Sequence, residues 1–443
     1  MWPLSGTGLR LRRFRFSRSR VALLSFRLAF TLQAADWPQF LGPARDGSTA
    51  DPIGDSWPSN GAPTVWEARV GEGFSSPIIA EGTAFLFHRR SDREVISAWV
   101  AGTGAERWTA SFPTDYSDDQ GSGDGPKSTP AVANGRLFAL SPSGILRAVS
   151  IRDGALLWEV DLVRRFEGSR GFFGFATSPL VMGDRVVVQV GGTGASTVAF
   201  GVADGKVLWK SGSDEAGYGS PVPWVVDGRP RALAFNRSGA VAHDIEDGLE
   251  VFRFPWRSRM HASVNAAAPR VDSGGLFLTA SYGTGATWIR PEGASGDVVW
   301  SGDDILSAHF ATPVESGGFL YGFHGRHESN PVFRCVERAT GKVRWTVEDV
   351  GSGSVIRVGS QLLVLSESGE MRVLMASAER PVERTRFQAC GTGTRMIPAV
   401  SEGLLWVRDR SRLTCRRLPG ATATPSAKPG ASTPTSRAAG SGP

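Results

Sequence analysis

The chain has 443 residues, 41% of them hydrophobic, which supports a sizeable core and excludes a disordered or collagen-like polypeptide. Its 55 Gly, 14 Trp and 24 Phe against only 4 Tyr suit a turn-rich all-β chain that repeats one aromatic anchor. The net charge of +6 resides in residues 1–35, where seven Arg meet no Asp or Glu; the remainder is balanced to within one charge, so no cationic excess is left for binding nucleic acid.

Residues 1–35 predict a signal peptide. An Arg-rich stretch precedes a short apolar run, Val21 to Leu32, which Arg27 interrupts, and Ala34-Ala35 offer small residues for cleavage. At about 12 residues this run is too short for a membrane span, which needs ~20. Arg12-Arg13 is followed by Arg15 where a twin-arginine signal would want an apolar residue, and the first cysteine, Cys335, lies far beyond any lipidation site. The mature chain is expected to be periplasmic or secreted, without a transmembrane span and monomeric. Residues 36–63 read as a lead-in segment, 64–420 as the folded body, and 421–443, rich in Ala, Thr, Pro, Ser and Gly, as a disordered tail.

The body is a repeat. A glycine followed four residues later by an aromatic recurs at Gly104…Trp108, Gly154…Trp158, Gly205…Trp209, Gly248…Phe252, Gly296…Trp300 and Gly341…Trp345. Each predicts a tight turn running into a strand. A small residue before proline keeps pace with it and opens another strand: Ser76-Pro77, Thr129-Pro130, Ser178-Pro179, Ser220-Pro221, Ala268-Pro269, Thr312-Pro313 and Ile397-Pro398, with Ser354-Val355 filling the remaining gap. These eight starts lie roughly 42 to 53 residues apart, and each period holds about four strands, the signature of a propeller blade. The last unit, Ile397 to Leu418, has three strands, and the strand around Trp66 has no blade before it, so joining them closes the ring. The expectation is an all-β, eight-bladed β-propeller closed by N- and C-terminal strands. Its structural anchors are Trp66, Trp108, Trp158, Trp209, Phe252, Trp300, Trp345 and Phe387, each worth on the order of 2–3 kcal/mol of burial.

The Ala-x-Asp/Thr-Gly-x-x-x-Trp pattern resembles the tryptophan-docking repeat of the PQQ-like, quinoprotein-type propellers, and Trp37-Pro38-Gln39-Phe40-Leu41-Gly42-Pro43 resembles the lead-in of exported bacterial proteins that carry it. Two branches of that family imply different functions. The propeller lipoprotein of outer-membrane barrel assembly implies a non-catalytic module that binds a protein or envelope component. The quinoprotein alcohol dehydrogenases imply PQQ with Ca²⁺, held by a Trp, a disulfide of adjacent cysteines, carboxylate and amide oxygens, and an Asp base. Cys335, Cys390 and Cys415 supply no adjacent pair, and the insertions that cover the cofactor are absent. The reading is therefore a non-catalytic binding or scaffold module with no cofactor expected; the alternative is a PQQ-dependent oxidoreductase of reduced design, and a carbohydrate-binding propeller is a third option.

Other candidate chemistry is sparse. The acidic loop Asp115 to Gly125 has Pro126 where an EF-hand would place Glu, so it reads as a solvated loop between blades. His324 and His327 sit three apart in a turn without a further ligand nearby in sequence, which reads as a surface loop and no metal site. Cys335 and Cys415 read as small buried residues; Cys390 and Cys415 fall in or beside the last blade, and the sequence leaves their pairing open. Three residues before each Pro, or its equivalent, the repeat varies: Phe74, Lys127, Ala176, Tyr218, Ala266, Phe310, Ser352 and Arg395, with Asn265 and His309 one residue further out. This ring is expected to line the mouth of the central channel as the binding site, Lys127 and Arg395 favouring an anionic group.

Overall fold

In the computed structural model, residues 36–420 are described except 258–259, 261–264 and 273. The predicted signal peptide and tail lie outside the described residues. Eight sheets form the eight blades of a β-propeller, each a four-stranded antiparallel meander, with a fifth, parallel strand of two residues added to one of them. Blades 1 to 7 span residues 78–113, 131–161, 180–211, 219–255, 270–302, 314–347 and 353–388. Blade 8 takes Ala399–Ser401, Leu404–Arg408 and Arg412–Arg417 from the C-terminal side and Thr64–Arg69 from the N-terminal side, with Trp66 opposite Cys415. The ring thus closes by the predicted exchange of strands, which pairs an edge that would otherwise be open. No helix among the described residues is long and apolar enough to cross a membrane.

Two repeated devices join the blades. The first is the aromatic anchor. The indole N–H of Trp66, Trp108, Trp158, Trp209, Trp300 and Trp345 donates to a backbone oxygen of the following blade, respectively Ala101, Ile151, Val202, Ile245, Arg338 and Ser377, at 2.7–3.1 Å. In five of the six, all but Trp345, the ring lies against the next blade's hairpin glycine, so Gly205 (φ +67°) leaves no room for a methyl group, which would sit 2.7 Å from the Trp158 ring. The glycine of one repeat therefore serves the tryptophan of the repeat before it. Phe387 uses Gly61 of the lead-in segment in this way and packs on Trp57 at 5.9 Å. Phe252 has no N–H to donate and packs edge-on against Trp224 at 5.0 Å within its own blade.

The second device explains the small residue before proline. The backbone N–H at this position donates to the hydroxyl at the same position of the next blade: Ser76 to Thr129, Thr129 to Ser178, Ser178 to Ser220, Ala268 to Thr312, and Ile397 to Ser76, all at 2.9–3.0 Å. These contacts are largely buried, and each is worth about 1 kcal/mol.

The lead-in segment is built into the ring. Ile79 N–H donates to Trp37 O and Val132 N–H to Pro38 O; Arg45 donates to Ser178 O and Pro179 O; Arg270 donates to Asp46 O; and Ser48–Thr49 pairs in parallel with Arg357 and Val358. Within 13 residues the chain touches the innermost strands or their approaches in blades 1, 2, 3, 5 and 7. It therefore crosses the central channel and floors it with Phe40 and the buried Leu41.

Candidate functional site

Antiparallel meanders fix where the loops fall. The loops between blades and the hairpins between second and third strands emerge on one face; the turns between first and second strands, and between third and fourth, emerge on the other. On the first face the loops between blades enclose a cavity of about 530 Å³. Eight of the ten predicted mouth residues line it: Phe74, Lys127, Ala176, Tyr218, Ala266, His309, Phe310 and Arg395. Ser352 stands behind the wall, its hydroxyl donating to His327 O at 3.3 Å. Asn265 does not line the cavity: its amide is spent on Asn236 O (2.7 Å) and Trp256 O (3.1 Å), and its own carbonyl accepts from Tyr218 and Gly219, so it is a buried staple.

The walls are aromatic and their cations are paired. Phe40 forms the floor, and Phe74, Phe173, Tyr218, Tyr282 and Phe310 form the sides. The Tyr218 hydroxyl accepts from the N–H groups of Phe172 and Phe173, which folds that loop over the rim. Lys127 lies 3.8 Å from Asp118, donates to Gly123 O and covers the Tyr116 ring at 5.3 Å. The acidic loop is thus closed on itself. Burial opposes ionisation of Asp118, yet the Ser122 hydroxyl, the Gln120 N–H and Lys127 hold its carboxyl below the usual range. Burial lowers the Lys127 ammonium and pushes the Tyr116 phenol up to about 12. Arg395 pairs with Glu367 at 2.8 Å and lies over the rings of Phe74 and Phe310.

The structure assembles a group that sequence spacing did not bring together. His327 opens the 3₁₀ turn His327–Ser329 and faces His309, 18 residues earlier on the neighbouring loop, with ring centroids 5.7 Å apart and 27° between planes. Glu328 approaches His327 Nδ1 at 3.4 Å, and Tyr282 packs edge-on against His309 at 5.4 Å. Arg395 Nη2 donates to His327 Nε2 at 3.1 Å, which places the neutral imidazole's proton on Nδ1, toward Glu328. Burial lowers the His309 imidazole, against the opposing pull of the Glu328 carboxylate. His324, three residues earlier, is turned away and accepts from the Ser307 N–H.

The opposite face carries a second candidate surface. A β-bulge falls on the residue directly before the aromatic anchor in seven blades, and on Arg384, three residues before Phe387, in blade 7. On blades 2 to 5 the exposed aliphatic residues within three positions before the anchor are Leu156 and Leu157 (both 46% exposed), Leu208 (47%), Leu249 (63%), Val298 (50%) and Val299 (39%). On blades 1, 6 and 7 the residue at the bulge is the exposed Arg107, Arg344 or Arg384. The result is an aliphatic arc over four consecutive blades with charged flanks.

Comparison with known proteins falls on the same ground. The family model described as outer membrane protein assembly factor BamB matches residues 58–210 and 194–327. The outer membrane protein assembly factor BamB of Yersinia pestis is 27% identical over 202 residues, 44% of this chain, which spans about half (47%) of that relative's length. Among solved structures, BamB from Moraxella catarrhalis superposes with a TM-score of 0.60 at 14% identity, covering 82% of this chain and all but 1% of its own. Quinohemoprotein alcohol dehydrogenases of Pseudomonas putida HK5 and Comamonas testosteroni both reach 0.63 at 13% identity, covering 91% and 88% of this chain and 83% and 81% of theirs. At these identities the structural likenesses establish the fold, a PQQ-like propeller. The mouth does not fit PQQ with calcium: among the described residues its wall carries no Trp or Cys and a single carboxylate, Glu328, where Ca²⁺ wants six to eight oxygens. Cys335, Cys390 and Cys415 are buried free thiols.

Proposed function

We propose that this chain, which belongs to the family of the outer membrane protein assembly factor BamB, is an exported, non-catalytic propeller that holds a protein partner in the cell envelope. The observation that carries the proposal is the aliphatic arc. Six aliphatic side chains within three positions before the anchors stand in solvent on blades 2 to 5, inside the stretch that matches the family, while an exposed arginine stands within those three positions on three other blades. Exposed aliphatic side chains gathered on consecutive blades in this way suit an association site. The Yersinia pestis relative is an assembly factor for outer membrane proteins. The present reading carries that scaffold role over and places the contact at the arc.

The test is a photo-crosslinking residue introduced at Leu208 and, as a control, at Arg344, followed by irradiation in envelope preparations. A discrete protein adduct from position 208 that disappears in the triple variant Leu157→Glu, Leu208→Glu, Leu249→Glu supports the proposal. The same adducts from both positions, or adducts that survive the triple variant, overturn it.

A further inference from the structure

We propose that the channel mouth binds a divalent transition-metal ion of the Zn²⁺ class between His309, His327 and Glu328, with an open coordination position directed into the aromatic cup. One nitrogen from each histidine and one Glu328 oxygen all lie within 4.8 Å of one another. All three residues line the cavity, so a fourth position would take water or a ligand carboxylate. Two imidazoles and one carboxylate suit Zn²⁺ or Co²⁺ and are too few and too nitrogen-rich for Ca²⁺ or Mg²⁺.

The two loops that carry the ligands are tied together before any ion arrives. Gly325 N–H donates to Ser307 O at 2.9 Å, forming a parallel bridge between Ala308 and Gly325. Ser307 N–H donates to His324 Nδ1, and Ala308 N–H to the Thr279 hydroxyl at 2.8 Å. His309 and His327 therefore project from a cross-braced pair of loops. Donor atoms around a tetrahedral zinc stand about 3.3 Å apart at metal–ligand distances near 2.0–2.1 Å. The His327 Nδ1 to Glu328 Oε1 separation is already 3.4 Å, so rotation of the imidazole rings supplies most of the remaining closure.

Arg395 is the brake on this site. It donates to His327 Nε2 and so keeps the proton on Nδ1, the atom the ion would use. Ligation through Nδ1 moves that proton to Nε2 and ends the Arg395 contact, while the guanidinium keeps Glu367 at 2.8 Å. The imidazole remains neutral throughout, and no net proton leaves it. Removing the guanidinium should tighten binding, an effect that a merely structural histidine pair would not show.

The test uses the tag-free, metal-stripped full chain, titrated with Zn²⁺ by calorimetry and with Co²⁺ by its visible absorption. The expected result is saturable one-to-one binding that is lost in His309→Ala, weakened by roughly tenfold or more in Glu328→Gln, and tightened by roughly tenfold in Arg395→Gln. Unchanged thermal melts of the metal-free variants establish that each folds. Absence of saturable binding in both the wild-type chain and Arg395→Gln overturns the proposal, as does binding indifferent to His309→Ala and Glu328→Gln, or a preference for Ca²⁺. The arc is not involved, so either outcome leaves the partner reading to its own test.

Discussion

Replacing glycine by alanine at two positions of blade 3 separates the anchor's contribution from ordinary turn strain. Gly183 and Gly205 both adopt left-handed backbone, φ +62° and +67°. A methyl group at Gly183 would meet nothing within 4 Å, so Gly183→Ala incurs only the left-handed cost, about 1 kcal/mol. At Gly205 the same methyl would lie 2.7 and 2.8 Å from Trp158 Cε3 and Cδ2. Ordinary contact is 3.4–4 Å, so the ring must retreat by roughly 0.7 Å or more. That movement weakens the Trp158 Nε1 bond to Val202 O (3.1 Å), worth about 1 kcal/mol, and strips packing worth roughly 1–2 kcal/mol more. Gly205→Ala is therefore expected to destabilise by about 3–4 kcal/mol, roughly 2–3 more than Gly183→Ala. Urea unfolding followed by tryptophan emission measures both. Equal losses in the two variants would refute the docking account and leave only turn strain.

Other expectations follow from buried groups. His88 accepts from Gly71 N–H on Nδ1, contacts Ser97 through Nε2 and is depressed to about 3 by burial and then by Arg408 and Arg90. Its folded pKa lies below the unfolded value, so stability is full above pH ~6.5 and falls as pH drops toward 3, with a slope of up to about 1.4 kcal/mol per pH unit; His88→Gln should flatten that slope in melts between pH 4 and 6. Arg45, 3% exposed, donates to Ser178 O and Pro179 O from the channel floor, and Arg45→Met should cost about 2–4 kcal/mol and admit protease to residues 36–49. Burial pushes Cys335 and Cys390 up to about 11 and raises Cys415 as well, so a disulfide-exchange reagent should titrate none of the three in the native chain and all three in denaturant.

What the sequence revealed, and what it did not, follows one physical division. The blade count, the closure through Trp66 and the anchors were readable because each blade must solve the same packing problem with the same residues. Ser76, Thr129 and Ser178 recur for the same reason, although the hydroxyl-to-N–H relay they form needs the neighbouring blade to be seen. The mouth was readable by register alone: one offset from proline places Phe74, Tyr218 and Arg395 around one cavity. Asn265 and His309 both fall one residue off that offset, and there the neighbours decide: the Asn265 amide is held by Asn236 O and Trp256 O, whereas His309 lines the cavity. The His309–His327–Glu328 group was hidden because its members stand on two loops joined by a backbone bridge, and no periodicity reports a bridge. The floor was hidden too, since Trp37 to Thr49 is not part of the repeat and shows its role only by crossing it.

The parity of a four-stranded meander makes one last prediction firm. Every innermost strand leaves the mouth, so the third strand runs away from the mouth as well, and the turn into the fourth lies on the far face. The aliphatic arc begins at that turn in blades 2 to 5, and the mouth is floored by Phe40 and the lead-in chain between the two faces. Among the described residues the cavity lining and the arc have no side chain in common, and substitutions at sites without shared partners act additively to within about 0.5 kcal/mol. His309→Ala should therefore leave crosslinking from Leu208 unchanged, and the Leu157, Leu208 and Leu249 triple variant should leave metal titration unchanged. Arg45→Met is the exception that tests the reasoning. It loosens the floor the two faces share, and it should disturb the mouth titration while sparing the arc, because Arg45 bonds to blade 3 at its innermost strand and the arc stands on the outermost. Loss of both activities in Arg45→Met, with the fold intact, would show that the faces are coupled through the lead-in chain.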